Sequence, residues 1–278
     1  MQFRTVVAIN KSSFEIQPCE QMLFVGSCFA ERMGLRFQED CFRVVVNPYG
    51  VMYNPASVLH TVEKIYASRG KGQVELPSTV VLSLGTNRVY ILKETGEIVD
   101  NCQKRPQRLF QEYELSVDEC ADYLCRTIDL LREWNPAVRI ILTVSPIRYS
   151  KYGYHGSQLS KATLLLAVDK VVLNPRYSPS DVVYFPSYEI VLDELRDYRF
   201  YKDDMLHPAK VAGEYIWERF TESFFSDAAK QFLAEWKPIK DVLNHEPFNP
   251  ESEEYIQLME RTQEKIMALK QKYPDFPM

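Results

Sequence analysis

Short apolar runs that end at Gly, Asn or Pro alternate with longer stretches of helical periodicity through most of the chain. Residues 22–26 (MLFVG) read as a buried strand, and residues 29–39 as the helix after it. Residues 42–46 (FRVVV) are β-branched and stop at the turn Asn47-Pro48-Tyr49-Gly50. Asn54 before Pro55 has the chemistry of an N-cap with Pro in the first helical position, and predicts a helix to about residue 68. Residues 79–84 (TVVLSL) form a strand that runs into Gly85-Thr86-Asn87. Residues 89–92 and 97–99, around Glu94-Thr95-Gly96, predict a hairpin. Ser116 and Glu119 make an S-x-x-E capping box for a helix to about residue 134. A strand over 138–144, a helix over 157–173, a short strand over 182–185 and an amphipathic helix over 208–225 complete the series.

Alternation of this kind implies a mostly parallel sheet covered by helices on both faces, a three-layer α/β/α sandwich of about five strands. Working residues in such sheets sit at the carboxyl ends of the strands. After residue 225 the pattern turns to helix alone, rich in Glu, Lys and Gln. The expected division is therefore an α/β domain over 1–225 and a helical extension over 226–278 packed on it.

Composition narrows the possible functions. An apolar share of 46% over 278 residues supports a large core. The net charge of -5, without a basic block, argues against nucleic acid as a partner. The N-terminal segment lacks the apolar centre of a signal peptide, and no run approaches a membrane span, so a complete chain is expected in the cytoplasm, without a membrane partner. The six cysteines form no C-x-x-C pair and only four His accompany them, so neither a zinc site nor a disulfide framework is expected.

Two sequence features point to nucleophilic chemistry. Ser27 and Cys28 follow a strand and a Gly at the start of a helix. Unpaired N–H groups and the helix dipole there favour a thiolate, and the same N–H groups suit a developing oxyanion. An N-cap Ser beside a buried Cys is the plainer reading of that tripeptide. Asp204 and His207, two residues apart before Pro208, have the spacing of a base and the group that orients it, or simply of a surface turn. Gly50 offers a backbone N–H and Asn87 a side-chain amide for an oxyanion. Arg148, His155 and Gln158 follow the strand ending near Val144, and with Lys104 and Arg105 they are candidates to bind a carboxylate, a phosphate or a sugar hydroxyl.

The segment VGSCFAERMG at 25–34 resembles the motif that names the GSCFA family. So do NPYGVMYNPAS (47–57), LGTNRVY (84–90), NCQKRP (101–106), the SPIRYSKYGYHGSQLSKATLL stretch (145–165) and the segment over 185–220. The resemblance implies an SGNH-hydrolase-like, flavodoxin-like fold and a link to bacterial polysaccharide or lipopolysaccharide metabolism. In SGNH enzymes the first block is Gly-Asp-Ser. Laid on Gly26-Ser27-Cys28, it puts Cys28 at the nucleophile position and Ser27 at the Asp position, a departure from that pattern; the other register makes Ser27 the nucleophile. Gly50, then Gly85 with Asn87, then Asp204 with His207 match the later blocks. The implied activity is hydrolysis of an acyl ester of a small molecule or carbohydrate, without metal or other cofactor. The alternatives are an O-acyltransferase using acyl-CoA and a catalytically silent carbohydrate-binding protein on the same fold.

Overall fold

Each strongly apolar run has two faces to bury, and the chain achieves this by ranking the strands edge to edge between two layers of helix. The computed structural model describes residues 4–69 and 74–277. In chain order the elements are β1 (Gln21–Gly26), α1 (Cys28–Glu39), β2 (Arg43–Val46), α2 (Pro55–Ala67), β3 (Thr79–Leu84), β4 (Arg88–Leu92), β5 (Ile98–Val99) and β6 (Phe110–Glu114). Then come α3 (Val117–Trp134), β7 (Arg139–Val144), α4 (Gly153–Val172), β8 (Val182–Tyr184) and the turn α5 (Ser187–Glu189), which continues as a π-helical stretch, Ile190–Leu195. The helices α6 (Lys210–Phe224), α7 (Asp227–Leu243) and α8 (Glu253–Lys272) end the chain.

The main sheet has the order β2-β1-β3-β7-β8, and every neighbouring pair is parallel. This is the three-layer α/β/α sandwich expected from the alternation. The chain leaves β1 for β2 on one side and returns to β3 on the other. The crevice at the carboxyl ends of β1 and β3 is thus a topological switch point, where such sheets hold their ligands.

Successive residues of β1 serve opposite layers, as the period of two requires. Met22 and Phe24 belong to the core shared with α1 and α6, and Leu23 and Val25 to the core shared with α2, α3 and α4. Phe37 is the hub of the first core. Its ring lies 4.8 Å from Trp217, 5.2 Å from Phe24 and 5.7 Å from Phe220. Burying one such ring contributes about 1.5–3 kcal/mol.

The predicted caps are present: the Asn54 side chain accepts from Ser57 N–H at 2.9 Å, and Ser116 and Glu119 close their capping box. Three elements differ from expectation. The hairpin acquires a third strand, β6, paired with β4; its sequence Phe-Gln-Glu-Tyr-Glu is too polar to read as a strand. Helix α4 starts at Gly153, ahead of the apolar periodicity, because its first turn is exposed and polar. Helix α6 starts at Lys210 rather than at Pro208, which instead bridges to Tyr201.

Residues after 225 form α7 and α8, whose Trp236, Ile239, Ile266 and Leu269 join the core around Phe37. Trp236 Nε1 donates to the Glu39 carbonyl at 3.0 Å, and Lys240 pairs with Asp40 at 2.9 Å, so α7 grips the last turn of α1. No helix among the described residues is long and apolar enough to cross a membrane.

Two contacts set the strand ends. Gly26 has φ +140°, and a Cβ there would lie 2.1 Å from the Ser83 carbonyl oxygen. Lys161, fully buried on α4, donates to the carbonyls of Gly85 at 2.8 Å and Ser145 at 2.7 Å, where β3 and β7 end. Among the described residues no carboxylate pairs with it. Burial therefore pulls its ammonium down to about 7. A neutral amine has two N–H bonds, and both are matched by these carbonyls.

Both contacts lead to predictions. Gly26→Ala should lower the unfolding free energy by about 2–4 kcal/mol, read from urea denaturation; an unchanged midpoint would show that the junction tolerates a side chain. For Lys161 the unfolded chain keeps its proton to about 10.5 and the folded chain only to about 7. Between those values the unfolded state binds more protons, so stability rises with pH, by up to about 1.4 kcal/mol per pH unit. Below about 7 the full cost of the buried charge is present. Urea midpoints between pH 6.5 and 9 should rise more steeply for the native protein than for Lys161→Met, and identical slopes would refute the assignment.

Candidate active site

A cavity of about 320 Å³ opens at the carboxyl ends of β1, β3 and β7. Ser27 and Cys28 line it from the β1–α1 junction, Gly85 and Thr86 from the end of β3, Ser145 and Arg148 from the end of β7, and His207 from the loop before α6. These four stretches of chain meet here, three of them because parallel strands bring their carboxyl ends to one edge.

The junction that carries Cys28 is built from the Gly26 contact outward. Ser27 N–H donates to the Ser83 carbonyl at 3.0 Å, which extends β1 by one bond before the chain turns into the helix. Ser27 is the N-cap: its Oγ accepts from Phe29 N–H at 3.2 Å and pairs with Ser83 Oγ at 2.8 Å, and the residue is buried. Cys28 is the first helical residue and half-buried, with Sγ 3.5 Å from the Tyr53 hydroxyl. As the first residue of α1, its N–H has no acceptor within the helix.

Asp204 and His207 form a closed unit. Asp204 Oδ1 accepts from the N–H groups of Leu206 at 2.8 Å and His207 at 2.9 Å, and Oδ2 lies 2.6 Å from His207 Nδ1. The His207 and Leu206 backbone N–H groups, with the imidazole beside them, hold the Asp204 carboxyl down at about 2. Met205 takes φ +57° to make this tight turn. Arg148 braces the loop: its N–H donates to the Leu206 carbonyl at 3.1 Å and its Nη1 to the Met205 carbonyl at 3.0 Å. Arg32 holds the Pro208 carbonyl at 2.8 Å.

The other sequence candidates lie elsewhere or are occupied. Gly50 is exposed, and its N–H donates to the Asn47 carbonyl at 2.8 Å. Asn87 is buried, with Nδ2 donating to the Leu115 carbonyl at 2.7 Å. The N–H groups of Gly85 and Thr86 both go to the Tyr53 carbonyl, at 2.7 Å and 2.9 Å. The Gly50, Gly85 and Thr86 N–H groups are thus spent on backbone carbonyls, and neither Gly50 nor Asn87 lines the cavity. His155 sits exposed on the first turn of α4, and Gln158, one turn on, lines a neighbouring pocket. Arg105 lies over the Phe110 ring, away from the cavity.

Sequence reading missed Tyr53, Tyr149 and Lys151 in the cavity wall. Lys151 is fixed by Glu112 at 2.7 Å, by the Tyr152 hydroxyl at 2.9 Å and by the Tyr90 hydroxyl. Glu112 stands on β6, so the strand that was not foreseen anchors this wall. Burial raises the Glu112 carboxyl, but the hydrogen bonds from Lys151 and Tyr152 outweigh it and bring the group to about 2. Among the described residues no group of three or more His, Cys, Asp or Glu side chains is placed to hold a metal ion.

No curated protein sequence matches the chain. Among solved structures, a carbohydrate esterase family 3 protein from Talaromyces cellulolyticus aligns at 11% identity and TM-score 0.43, over 77% of this chain and 99% of that one. A family 3 carbohydrate esterase from Clostridium thermocellum aligns at 12% identity and TM-score 0.42, over 81% and 100%. A GDSL-like lipase from Bacteroides thetaiotaomicron aligns at 13% identity and TM-score 0.44, over 79% and 92%. In sequence, the GSCFA family pattern matches residues 21–75 and 67–220, and the C-terminal domain of GSCFA domain proteins matches 236–278. Those matches take in the junction at Cys28, the loop at His207, the second half of α7 and all of α8, and the chain belongs to the GSCFA family.

Proposed function

We propose that the protein is an ester hydrolase in which Cys28 attacks the acyl carbonyl, His207 moves the proton and Asp204 holds His207. One observation carries this reading: Cys28 and His207 line the same cavity while His207 Nδ1 is already committed to Asp204. Hydrogen on Nδ1 leaves Nε2 as the acceptor. The thiol proton passes to Nε2 as Sγ bonds to the acyl carbon. His207 returns that proton to the leaving alkoxide, and a thioester remains. Water then adds to the thioester with its proton taken by Nε2, and the acid departs as the Cys28 thiol re-forms. The Cys28 N–H at the helix start suits the charge that develops on the carbonyl oxygen.

Cys28 is favoured over Ser27 because the Ser27 hydroxyl is buried and spent on capping and on Ser83. A cavity of about 320 Å³ suits a short acyl group with part of its alcohol, the ester of a small molecule or a carbohydrate. Asp204 keeps its charge down to about pH 2, so an acid limb above pH 4 would come from another group.

Burial pushes the thiols of Cys19, Cys41 and Cys120 up to about 12, whereas Cys28 opens to the cavity. Limited iodoacetamide treatment at pH 7.5 followed by peptide mapping should label Cys28 before those three. Earlier labelling of any of them would move the nucleophile assignment to Ser27. His207→Ala should lower turnover of an aryl acetate by about 10²–10⁴-fold with the fold intact by circular dichroism, and Asp204→Asn by less. Unchanged turnover in both variants would refute the dyad.

A further inference from the structure

Beside the catalytic cavity lies a second, open pocket of about 480 Å³ between α4, the π-helical stretch after α5 and the 196–201 turn. Arg148 lines both. A ligand in one therefore touches the same side chain as a ligand in the other. We infer that this pocket is the subsite for the alcohol part of the substrate, and that it takes a neutral pyranose ring.

Three properties of the wall point to that class. Tyr188, Tyr198 and Tyr201 supply aromatic surface, and Tyr198 is 67% exposed although it carries a large apolar ring. Such rings offer a flat apolar face to the C–H side of a sugar and a hydroxyl to its edge. Gln158, Asp193 and Asp197 supply the planar amide and carboxylate groups that pair with neighbouring hydroxyls. Charge in the wall balances: Arg148 and Arg196 stand against Asp193 and Asp197. Arg196 is already 3.8 Å from Asp193, and the Arg148 guanidinium is ringed by Tyr154 at 4.1 Å, Tyr201 at 5.5 Å and Tyr198 at 6.0 Å. A site for phosphate or carboxylate would leave its cations without carboxylate neighbours. This wall suits an uncharged polyol.

The position of Arg148 gives the subsite a second consequence. Its backbone N–H and its Nη1 hold the Leu206 and Met205 carbonyls of the loop that carries His207. A sugar packed on the guanidinium presses on the brace of that loop. The alcohol part of the substrate thereby helps set the imidazole over the ester.

The inference rests on the acyl-transfer reading of Cys28, and the test separates the two. Binding is measured on the Cys28→Ala variant of the 278-residue chain, in which no acyl transfer at that thiol takes place. Probes are the methyl glycosides of glucose, galactose, mannose, xylose and N-acetylglucosamine, with glucose 6-phosphate as the anionic comparison, followed by saturation-transfer NMR and by titration. At least one neutral glycoside should bind with a dissociation constant of about 1–10 mM and more tightly than the phosphate. Tyr198→Ala should weaken it about tenfold, and Tyr198→Phe, which keeps the ring face, should retain it. Asp193→Ala should weaken it as well, without loss of the thermal transition. No binding by any neutral glycoside at 50 mM overturns the subsite, as does tighter binding of the phosphate or indifference to Tyr198→Ala. An inactive native protein on aryl acetates would sink the hydrolase reading and leave these binding results standing on their own.

Discussion

The close approach of Gly26 to the Ser83 carbonyl is the constraint on which the site depends. At φ +140° and with no Cβ, the last residue of β1 lies flat against β3, and Ser27 N–H takes the Ser83 oxygen. That contact fixes where the sheet ends and the helix begins. It also fixes which residue caps α1 and which comes next, facing the cavity. The side chain in the cap position loses its hydroxyl to helix and strand, and the next residue keeps its polar group available. A shift of one residue in this junction would exchange the roles of Ser27 and Cys28.

Around that junction the structure spends its backbone donors on rigidity. The turn at Asn47 to Gly50, the Gly85-Thr86 pair and Asn87 all have the residue types of an oxyanion site, yet their N–H groups bond to carbonyls of the chain itself. Tyr53 offers its carbonyl to both Gly85 and Thr86, and Asn47 offers its side chain to Gly26 N–H at 2.8 Å. The cavity is thus walled by loops bonded to each other beneath its surface, with Lys161 joining two of them from below. Arg148 plays the same part on the far wall, where it braces the loop that carries His207 and lines two cavities.

The layered fold was legible because its signals are local. Strand runs such as MLFVG and TVVLSL, the Asn54-Pro55 cap and the Ser116–Glu119 box each need only a few neighbouring residues. Part of the site was legible for the same reason: Asp204 and His207 bond within one turn, and Ser27 and Cys28 sit at a strand-to-helix junction. The rest depends on contacts distant in sequence. Nothing near Gly85 says that Tyr53 will take its N–H, and nothing near Lys161 says that two strand ends will enclose it. The polar segment after β7 has the residue types of a binding rim, and its apolar periodicity predicts a helix only from about residue 157. The helix begins at Gly153 instead, and His155 and Gln158 on it do not line the cavity, whereas Arg148 and Lys151 ahead of it do. Strand β6 lacked apolar alternation and was found only through its pairing with β4.

The hold of α7 on the last turn of α1 has a consequence in time as well as in space. The helix that bears Cys28 is pinned at its front by β3 and at its rear by Trp236 and Lys240, which follow some two hundred positions later. Contacts across so long a stretch of chain close slowly, because the intervening loop entropy is lost before they form. During synthesis the helix that bears Cys28 is made before α6 and α7, and its aromatic flank around Phe37 waits for Trp217, Phe232 and Trp236 to leave the ribosome. Until α7 and α8 have been made, the apolar surface around Phe37 lacks the side chains that complete its cover.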